Sequence, residues 1–276
     1  MEIRFQNSPK ETAAMNTGEL RSNFVCESLM QDDKLTLVYS HYDRVIIGGV
    51  KPVQSIVVLE NEEELKAGYF LERRELGIIN VGGAGKVLAN GNDYELNKLD
   101  CLYVGKETAD VRFESINRGD PAMFYLLSVP AHHAYPVAKM TREEASPVAL
   151  GAVETSNQRT IYKYIHLDGI KSCQLVMGLT VLQPGSVWNS VPPHTHTRRM
   201  EVYFYFDVPQ SQVVFHFMGE PQQTRHVVLT NNQAVISAPW SVHFGSGTTN
   251  YGFVWGMAGE NQAFPDMDPA PVQTLL

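Results

Sequence analysis

The feature that most constrains this chain is a succession of short runs of β-branched and aromatic residues, separated by Gly, Asn, Asp or Pro. Examples are LTLVYS at 35–40, AMFYLLSV at 122–129 and EVYFYF at 201–206. Such runs are typical of strands, and the residues between them are typical of turns. Few stretches suit an amphipathic helix, and 10–24 is the main candidate. The pattern therefore predicts an all-β protein of barrel or sandwich type, without the alternating helices of a parallel sheet.

The strand-rich sequence divides into two halves of similar design. Residues 131–157 carry prolines and lack strand alternation, which is typical of a connection. On either side, an Arg-Arg pair and a Glu precede a strand, a hairpin and a Gly turn, over 72–91 and 198–219. We therefore predict an internal duplication of two β-sandwich or barrel halves with few short helices, the first over 1–150 and the second over 151–276.

Charge and hydropathy exclude several classes of partner. The chain has 22 Lys and Arg against 30 Asp and Glu, a net charge of −8, which disfavours nucleic acid and anionic membranes. No apolar run approaches the roughly 20 residues of a membrane-spanning helix. The N-terminal stretch has no apolar segment after its charges, so we expect no secretory signal and a cytoplasmic location. The three scattered cysteines predict neither a disulfide framework nor a thiolate metal site.

The most informative stretch reads PPHTHTRRMEVYFYF. Residues two apart in a strand share a face, so His194 and His196 can direct their imidazoles at one ion. Glu201 follows at an odd offset and joins them only if a turn or bulge interrupts the strand at 197–200. His243, in SAPWSVHFGSG, is the best candidate for a fourth ligand. This donor set suits one Zn²⁺ per chain, or Fe²⁺, Mn²⁺, Co²⁺ or Ni²⁺.

The remaining histidines and the first half carry weaker signals. The place in the first half that corresponds to the His-x-His pair holds YFLER at 69–73. We therefore predict that the first half binds no metal and supplies packing or a subunit interface. His216 and His226 lie in strand segments without a partner at ligand spacing, which favours structural roles, although His226 beside Arg225 is a candidate for the mouth of the site.

The arrangement His-x-His, Glu and a later His resembles the ligand pattern of the cupin superfamily of small β-barrels. The resemblance extends further, because LVYSHYDRVIIGGVKPV, YFLERRELGIINVGGAG, PPHTHTRRMEVYFYF, RHVVLTNNQAVISAPWSVHFGSGT and FVWGMAGENQAFPDMD together resemble the 4-deoxy-L-threo-5-hexosulose-uronate ketol-isomerases over nearly the whole chain. It implies a bicupin-like fold, homohexamers, and zinc on His194, His196, Glu201 and His243. It also implies isomerisation of 5-dehydro-4-deoxy-D-glucuronate to 3-deoxy-D-glycero-2,5-hexodiulosonate, in the cytoplasmic breakdown of uronates from pectin and related polyuronides.

An aldose–ketose isomerisation needs a base that moves a proton between two carbons, or else a direct hydride shift. The sequence leaves both routes open. Strand alternation from Glu201 places Tyr203 and Tyr205 on its face, so these tyrosines and His226 are the candidate catalytic residues.

The substrate carboxylate needs a cation, for which an arginine fork is best suited. Arg198, Arg199 and Arg225 are the candidates near the metal motif. Arg73 and Arg74 join them if the neighbouring half closes the site.

Three other functions remain open on sequence grounds. One is a different cupin sugar-acid isomerase, such as one acting on 5-deoxyglucuronate. Another is a cupin dioxygenase, because the donor set also suits Fe²⁺. The third is a non-catalytic sugar-binding bicupin, which a sealed four-ligand metal site would favour.

Overall fold

The computed structural model describes residues 1–276 and is built almost wholly of strands, numbered here in chain order. The helical elements are two α-helices, α1 (Pro9–Ala14) and α2 (Thr17–Phe24), and two 3-10 turns, Glu63–Leu65 and Val272–Thr274. Asn16 and Glu19 form a capping box at the start of α2, so the helical candidate over 10–24 contains two short helices. None of these helices has the length and apolar character that crossing a bilayer requires.

The first half consists of two sheets. The seven-stranded sheet contains, from edge to edge, β1 (Glu2–Arg4), β3 (Leu35–Ser40), β4 (Ile46–Val50), β11 (Phe124–Pro130), β6 (Arg74–Asn80), β9 (Cys101–Val104) and β12 (Ala138–Met140). The four-stranded sheet contains β5 (Val57–Val58), β10 (Val111–Ser115), β7 (Gly85–Ala89) and β8 (Asn92–Leu96). Between them lies an apolar core of 19 buried residues that includes Leu76 and Ile78.

The second half repeats this arrangement. Its seven-stranded sheet contains β13 (Val148–Leu150), β14 (Arg159–Ile165), β15 (Val176–Leu182), β23 (Gly252–Gly259), β18 (Arg199–Phe206), β21 (Gln233–Ser237) and β2 (Val25–Cys26). Its four-stranded sheet contains β16 (Trp188–Asn189), β22 (Phe244–Gly247), β19 (Val214–Glu220) and β20 (Gln223–Leu229). A separate ribbon pairs β17 (His194–Thr195) with β24 (Asp268–Pro269).

Each half therefore has seven strands against four in the same spatial order, with β6 of the first half in the place of β18 in the second. This confirms the prediction of an all-β, bicupin-like fold. The equivalence also defines which side chains correspond, because Arg74 begins β6 and Arg199 begins β18.

The two seven-stranded sheets pack against each other across the middle of the molecule. The rings of Tyr125 on β11 and Phe204 on β18 are stacked, with centroids 4.5 Å apart. A Cβ on Gly77 of β6 would lie 2.6 Å from the Met177 sulfur on β15, so this close approach requires glycine. One cluster of 47 buried residues spans both halves. The opposite face of the second half's seven-stranded sheet is therefore available for the site.

Two short strands from residues 1–150 join the seven-stranded sheet of the second half. β2, from the N-terminal region, pairs with β21 of the second half, whereas β12, from the connecting region, pairs with β9 of the first. β13 is already part of the second sheet, paired with β14. The division into 1–150 and 151–276 stays a prediction about domains, since β2 and β13 come from residues 1–150 and belong to the sheet of the second half.

Candidate metal centre

Strand β18 carries the predicted site on one face. Glu201 and Tyr203 point into a cavity of the second half, whereas Phe204 points to the first half. This alternation is the period of two that a regular strand imposes.

The other three residues reach the same point from separate segments. His194 lies in β17 and His196 directly follows it. The N–H of Arg199 donates to the carbonyl of His196 (3.3 Å), closing a turn that brings Glu201 to the side of the histidines. This is the interruption that the odd spacing required. His243 immediately precedes β22, which lies in the opposite sheet.

The structure brings these four residues together as one cluster. Their ligand atoms all lie within 4.8 Å of one another. Glu201 Oε2 lies 3.0 Å from His196 Nε2 and 2.9 Å from His243 Nε2. The Nε2 atoms of His194 and His243 are 3.0 Å apart. Three imidazole nitrogens and a carboxylate thus converge on a point that suits a divalent metal ion.

Hydrogen bonds at the far side of two rings support this assignment. His196 Nδ1 donates to the Arg199 carbonyl (2.9 Å). His243 Nδ1 donates to the Ser241 carbonyl (3.2 Å) and lies 3.2 Å from the Ser237 hydroxyl. With the proton on Nδ1, each Nε2 keeps its lone pair for a metal, and the ring orientation is held.

The electrostatics of the cluster also suit a cation. Burial and the neighbouring His243 lower the pKa of His194 to about 3, so its ring is neutral at physiological pH. Burial alone would raise the pKa of Glu201, but the facing rings of His243 and His196 hold that pKa well below its ordinary value. An ionised carboxylate beside the neutral His194 ring suits metal binding, which needs deprotonated ligands.

A cavity of about 340 Å³ adjoins the cluster on the side of His194 and Glu201. Its walls are mainly apolar and aromatic, including Phe253, Trp255 and Phe264. The volume and lining are those of a small-molecule site. The cluster therefore borders space in which a ligand can reach the metal position.

The two candidate tyrosines occupy different positions. Tyr203 lines the cavity, and its hydroxyl lies 2.7 Å from the Ser190 hydroxyl. Burial raises the pKa of Tyr203 well above its ordinary value, so the phenol is protonated. The Tyr205 hydroxyl instead lies 2.8 Å from His216 Nδ1, deeper in the barrel and outside the cavity lining.

His226 and Arg225 lie away from this cavity. Both are on β20, the edge strand of the four-stranded sheet, where His226 is exposed. Arg225 donates to the carbonyls of Ala13 (3.0 Å) and Met15 (2.6 Å) at the end of α1. The structure thus does not bring these two candidates to the site. They follow the metal motif in sequence, but their strand lies at the edge of the four-stranded sheet.

Arg198 and Arg199 hold the C-terminal strap, by which we mean residues 260–276. Arg198 pairs with Asp266 (2.7 Å) and with Asp268 (3.1 Å). Arg199 is buried and lines the cavity, but its guanidinium donates to three strap carbonyls, those of Ala263, Phe264 and Asp266. Both arginines therefore have partners within the chain, which leaves less donor capacity for a substrate.

Arg159 is the cation that sequence reasoning missed. It begins β14, is half-buried and lines the cavity, and no carboxylate acts on its charge. Its single hydrogen bond runs from Nη1 to the Asn157 carbonyl (2.9 Å). Alternation in RTIYKYI places Arg159 and Ile161 on one face, but only the sheet order shows that this face borders the site.

Arg73 and Arg74 are in the first half, where they line a different cavity. The neighbouring half therefore does not close the metal site with these side chains. The corresponding interior position of β6 holds Leu76, buried in the apolar core.

Comparison with known proteins places these observations in a family. The model of the KduI/IolB family matches residues 24–271. The chain is 51% identical over 275 residues to the 4-deoxy-L-threo-5-hexosulose-uronate ketol-isomerase of Caldicellulosiruptor bescii, with both chains covered completely. It is 54% identical over 274 residues to the protein of the same name from Formosa agariphila, covering 99% of this chain and 98% of the relative.

Solved structures support the fold. An IolB-like protein from Salmonella typhimurium matches with a TM-score of 0.69 at 14% identity, covering 87% of this chain and 94% of the other. Oxalate decarboxylase of Bacillus subtilis matches with a TM-score of 0.56 at 10% identity, covering 81% and 71%. The family match spans most of the sequence and the relatives align over their full lengths. This chain therefore belongs to the KduI/IolB family.

Proposed function

We propose that this protein is a metal-dependent ketol-isomerase that converts 5-dehydro-4-deoxy-D-glucuronate to 3-deoxy-D-glycero-2,5-hexodiulosonate. The observation that carries the proposal is the cluster of His194, His196, Glu201 and His243 beside a sugar-sized cavity. Relatives named ketol-isomerases that are 51–54% identical over essentially the whole chain support the same reaction.

The donor set suits zinc, and we propose one Zn²⁺ per chain. When bound, the ion supplies Lewis-acid stabilisation of the negative charge that develops on substrate oxygens as a proton leaves the neighbouring carbon. We further propose, from the family resemblance, a cytoplasmic homohexamer that acts in the breakdown of pectin-type polyuronides.

Within the cavity, the chain's own groups divide the remaining tasks. Arg159 is placed to bind the substrate carboxylate, because its guanidinium faces the cavity with donors to spare. The apolar wall of Phe253 and Trp255 limits water around the sugar. Tyr203 presents a protonated hydroxyl to the same space, held by Ser190, and is the best placed of the three candidate acid–base residues.

The open side of the cluster counts against a purely structural metal. A structural site is closed by its protein ligands, whereas a catalytic site keeps a position for water or substrate. Here the cavity reaches His194 and Glu201, two of the four proposed ligands. The arrangement supports an enzyme over a non-catalytic sugar-binding bicupin.

The test is metal analysis together with an assay of 5-dehydro-4-deoxy-D-glucuronate conversion. His196→Ala is compared with His226→Ala, which makes the same change at an exposed histidine outside the cavity. We expect about one metal per chain and turnover in the wild type and in His226→Ala, and loss of both in His196→Ala. A metal-loaded wild type without turnover would refute the proposed substrate.

A further inference from the structure

A second cavity, of about 630 Å³, opens in the first half. It lies beside the start of β6, the turn between β3 and β4, and the 3-10 turn at 63–65. Its titratable lining consists of Arg44, Arg73, Arg74, His41 and Tyr39, with Glu64 as the single carboxylate. The cavity is thus locally cationic in a chain of net charge −8.

Arg74 places a buried cation at this cavity without a counter-charge. Its side chain is 6% exposed, and no carboxylate acts on its charge. Nε and Nη2 donate to Ser128 and to the Arg44 carbonyl (2.7 Å), whereas Nη1 has no partner in the chain. Burial lowers the pKa of Arg74 to about 10, because its partners are neutral oxygens and no carboxylate offsets the lost hydration. A buried cation of this kind is stabilised by an anion.

Arg44 is held in an unusual conformation beside it. Arg44 has φ +53° and follows Asp43 at φ +46° in the turn between β3 and β4, a turn that favours glycine. Asp43 has a structural partner, the N–H of Met200 (2.9 Å). The exposed Arg44 side chain makes no hydrogen bond or ion pair within the chain, yet it lines the cavity. The Arg44 backbone is thus held by Arg74 through its carbonyl, whereas its guanidinium stays available to a ligand.

Comparison with the second half shows how the partners of Arg74 differ from those of the equivalent arginine. Arg74 occupies in β6 the place of Arg199 in β18. The donors of Arg199 are taken by the carbonyls of the C-terminal strap. Arg74 instead donates to Ser128 and to the Arg44 carbonyl, and its Nη1 is left for the cavity.

We propose that this cavity binds a small organic anion, a carboxylate or phosphate on a sugar-sized body. Arg44 and Arg73 hold the oxyanion, and Arg74 supplies charge from beneath. Arg73 can take part because only its Nη2 is engaged, with the carbonyls of Leu65 and Lys66. The rings of Tyr39 and Phe70 provide a face for the body of the ligand. The site is independent of the metal centre and assigns the first half a binding role beyond packing.

The test is isothermal titration of the full-length, metal-loaded protein with D-glucuronate, with inorganic phosphate and with neutral D-glucose. Arg44→Gly is compared with Lys66→Gly. Lys66 also has positive φ (+47°) and its loss removes the same charge, but its side chain is outside the cavity lining. Both variants relieve the same backbone strain, so neither is expected to melt below the wild type.

We expect the wild type and Lys66→Gly to bind an anion but not glucose, and Arg44→Gly to bind it at least tenfold more weakly. Tighter binding of glucuronate would identify a sugar acid as the ligand class, and tighter binding of phosphate a phosphate ester. Glucuronate bound at the metal cavity is detected as binding that Arg159→Gln weakens. The binding that depends on Arg44 should be unchanged in that variant. Equal affinities in the two glycine variants, or no anion binding by the wild type, would overturn the proposal.

Discussion

Glu75 and Glu201 lie one register position apart on equivalent strands, and their carboxylates point to opposite faces of their sheets. Glu75 is second in β6 and Glu201 third in β18, after Arg74 and Arg199 respectively. Glu75 accepts from the N–H groups of residues 173, 174 and 175 at 2.7–3.0 Å, which joins the halves. Glu201 instead faces the histidines. The glutamate of β6 thus joins the two halves, whereas the glutamate of β18 faces the proposed metal position.

Glu201→Gln should abolish metal retention while preserving the fold. The amide has nearly the same shape but no charge, so the imidazoles lose their anionic partner. We expect a loss of at least about a hundredfold in metal affinity, in line with removal of a ligand or its close support. Metal content after dialysis is the measurement. Glu95→Gln, at an exposed glutamate of β8, should keep its metal, and retention by Glu201→Gln would contradict the assignment.

Glu75→Gln should show the opposite behaviour. Its carboxylate is fully buried and also accepts from the Tyr103 hydroxyl (2.7 Å), so an amide NH₂ would face donors. We expect a loss of about 1–3 kcal/mol of unfolding free energy, measured by urea denaturation, with metal content unchanged. A variant as stable as the wild type would show that the hydrogen bonds accepted by Glu75 contribute less to stability than their geometry indicates.

Ser237→Ala tests the support behind the metal ligands. The hydroxyl is one of two partners near His243 Nδ1, and the Ser241 carbonyl remains in the variant. We expect metal affinity to fall by about tenfold, the lower end of the range for such supporting groups. Chelator competition measures it. An unchanged affinity would assign the orientation of His243 to Ser241 alone.

Arg159→Gln tests the carboxylate-binding role. Removing the guanidinium should lower kcat/KM by about 10- to 100-fold, equivalent to roughly 1.4–2.7 kcal/mol, chiefly through KM, with metal content unchanged. Arg118→Gln changes an exposed arginine of the first half and serves as the control. Normal kinetics in Arg159→Gln would contradict this role and favour Arg198 or Arg199 as the residue that binds the substrate carboxylate.

Acid should loosen the C-terminal strap through Asp266. The hydrogen-bonded Arg198 holds the pKa of Asp266 well below its ordinary value. A carboxyl with a depressed folded-state pKa stabilises the fold above its unfolded pKa of about 3.9, and this contribution is lost as pH falls toward the folded-state value. The amide protection factors of 260–276, which correct for the slower intrinsic exchange in acid, should therefore fall below about pH 4 in the wild type. Asp266→Asn should exchange faster at pH 7 and respond less to acid, and superimposable profiles would refute the role of this pair.

Local patterns in the sequence predicted the fold class and proposed His194, His196 and Glu201 as ligands, whereas His243 was proposed as a fourth ligand from a distant strand. Strand periodicity is a local property, and the alternation in HTHTRRMEVYFYF already places donor residues on a common face. The required turn before Glu201 followed from the same period of two. These features depend on near neighbours along the chain, so they can be read without knowing the partner strands.

Which cations and bases reach the site depends on the tertiary structure. Arg225 and His226 are close to the motif in sequence but lie on an edge strand of the other sheet, whereas Arg159 is distant in sequence and borders the cavity through β14. Arg198 and Arg199 were candidates for binding the substrate carboxylate, and the carboxylates and carbonyls of the strap engage them. Sheet order and the path of the C-terminal strap depend on contacts between residues tens of positions apart. Such contacts are set by the packing of the whole molecule, which no local pattern contains.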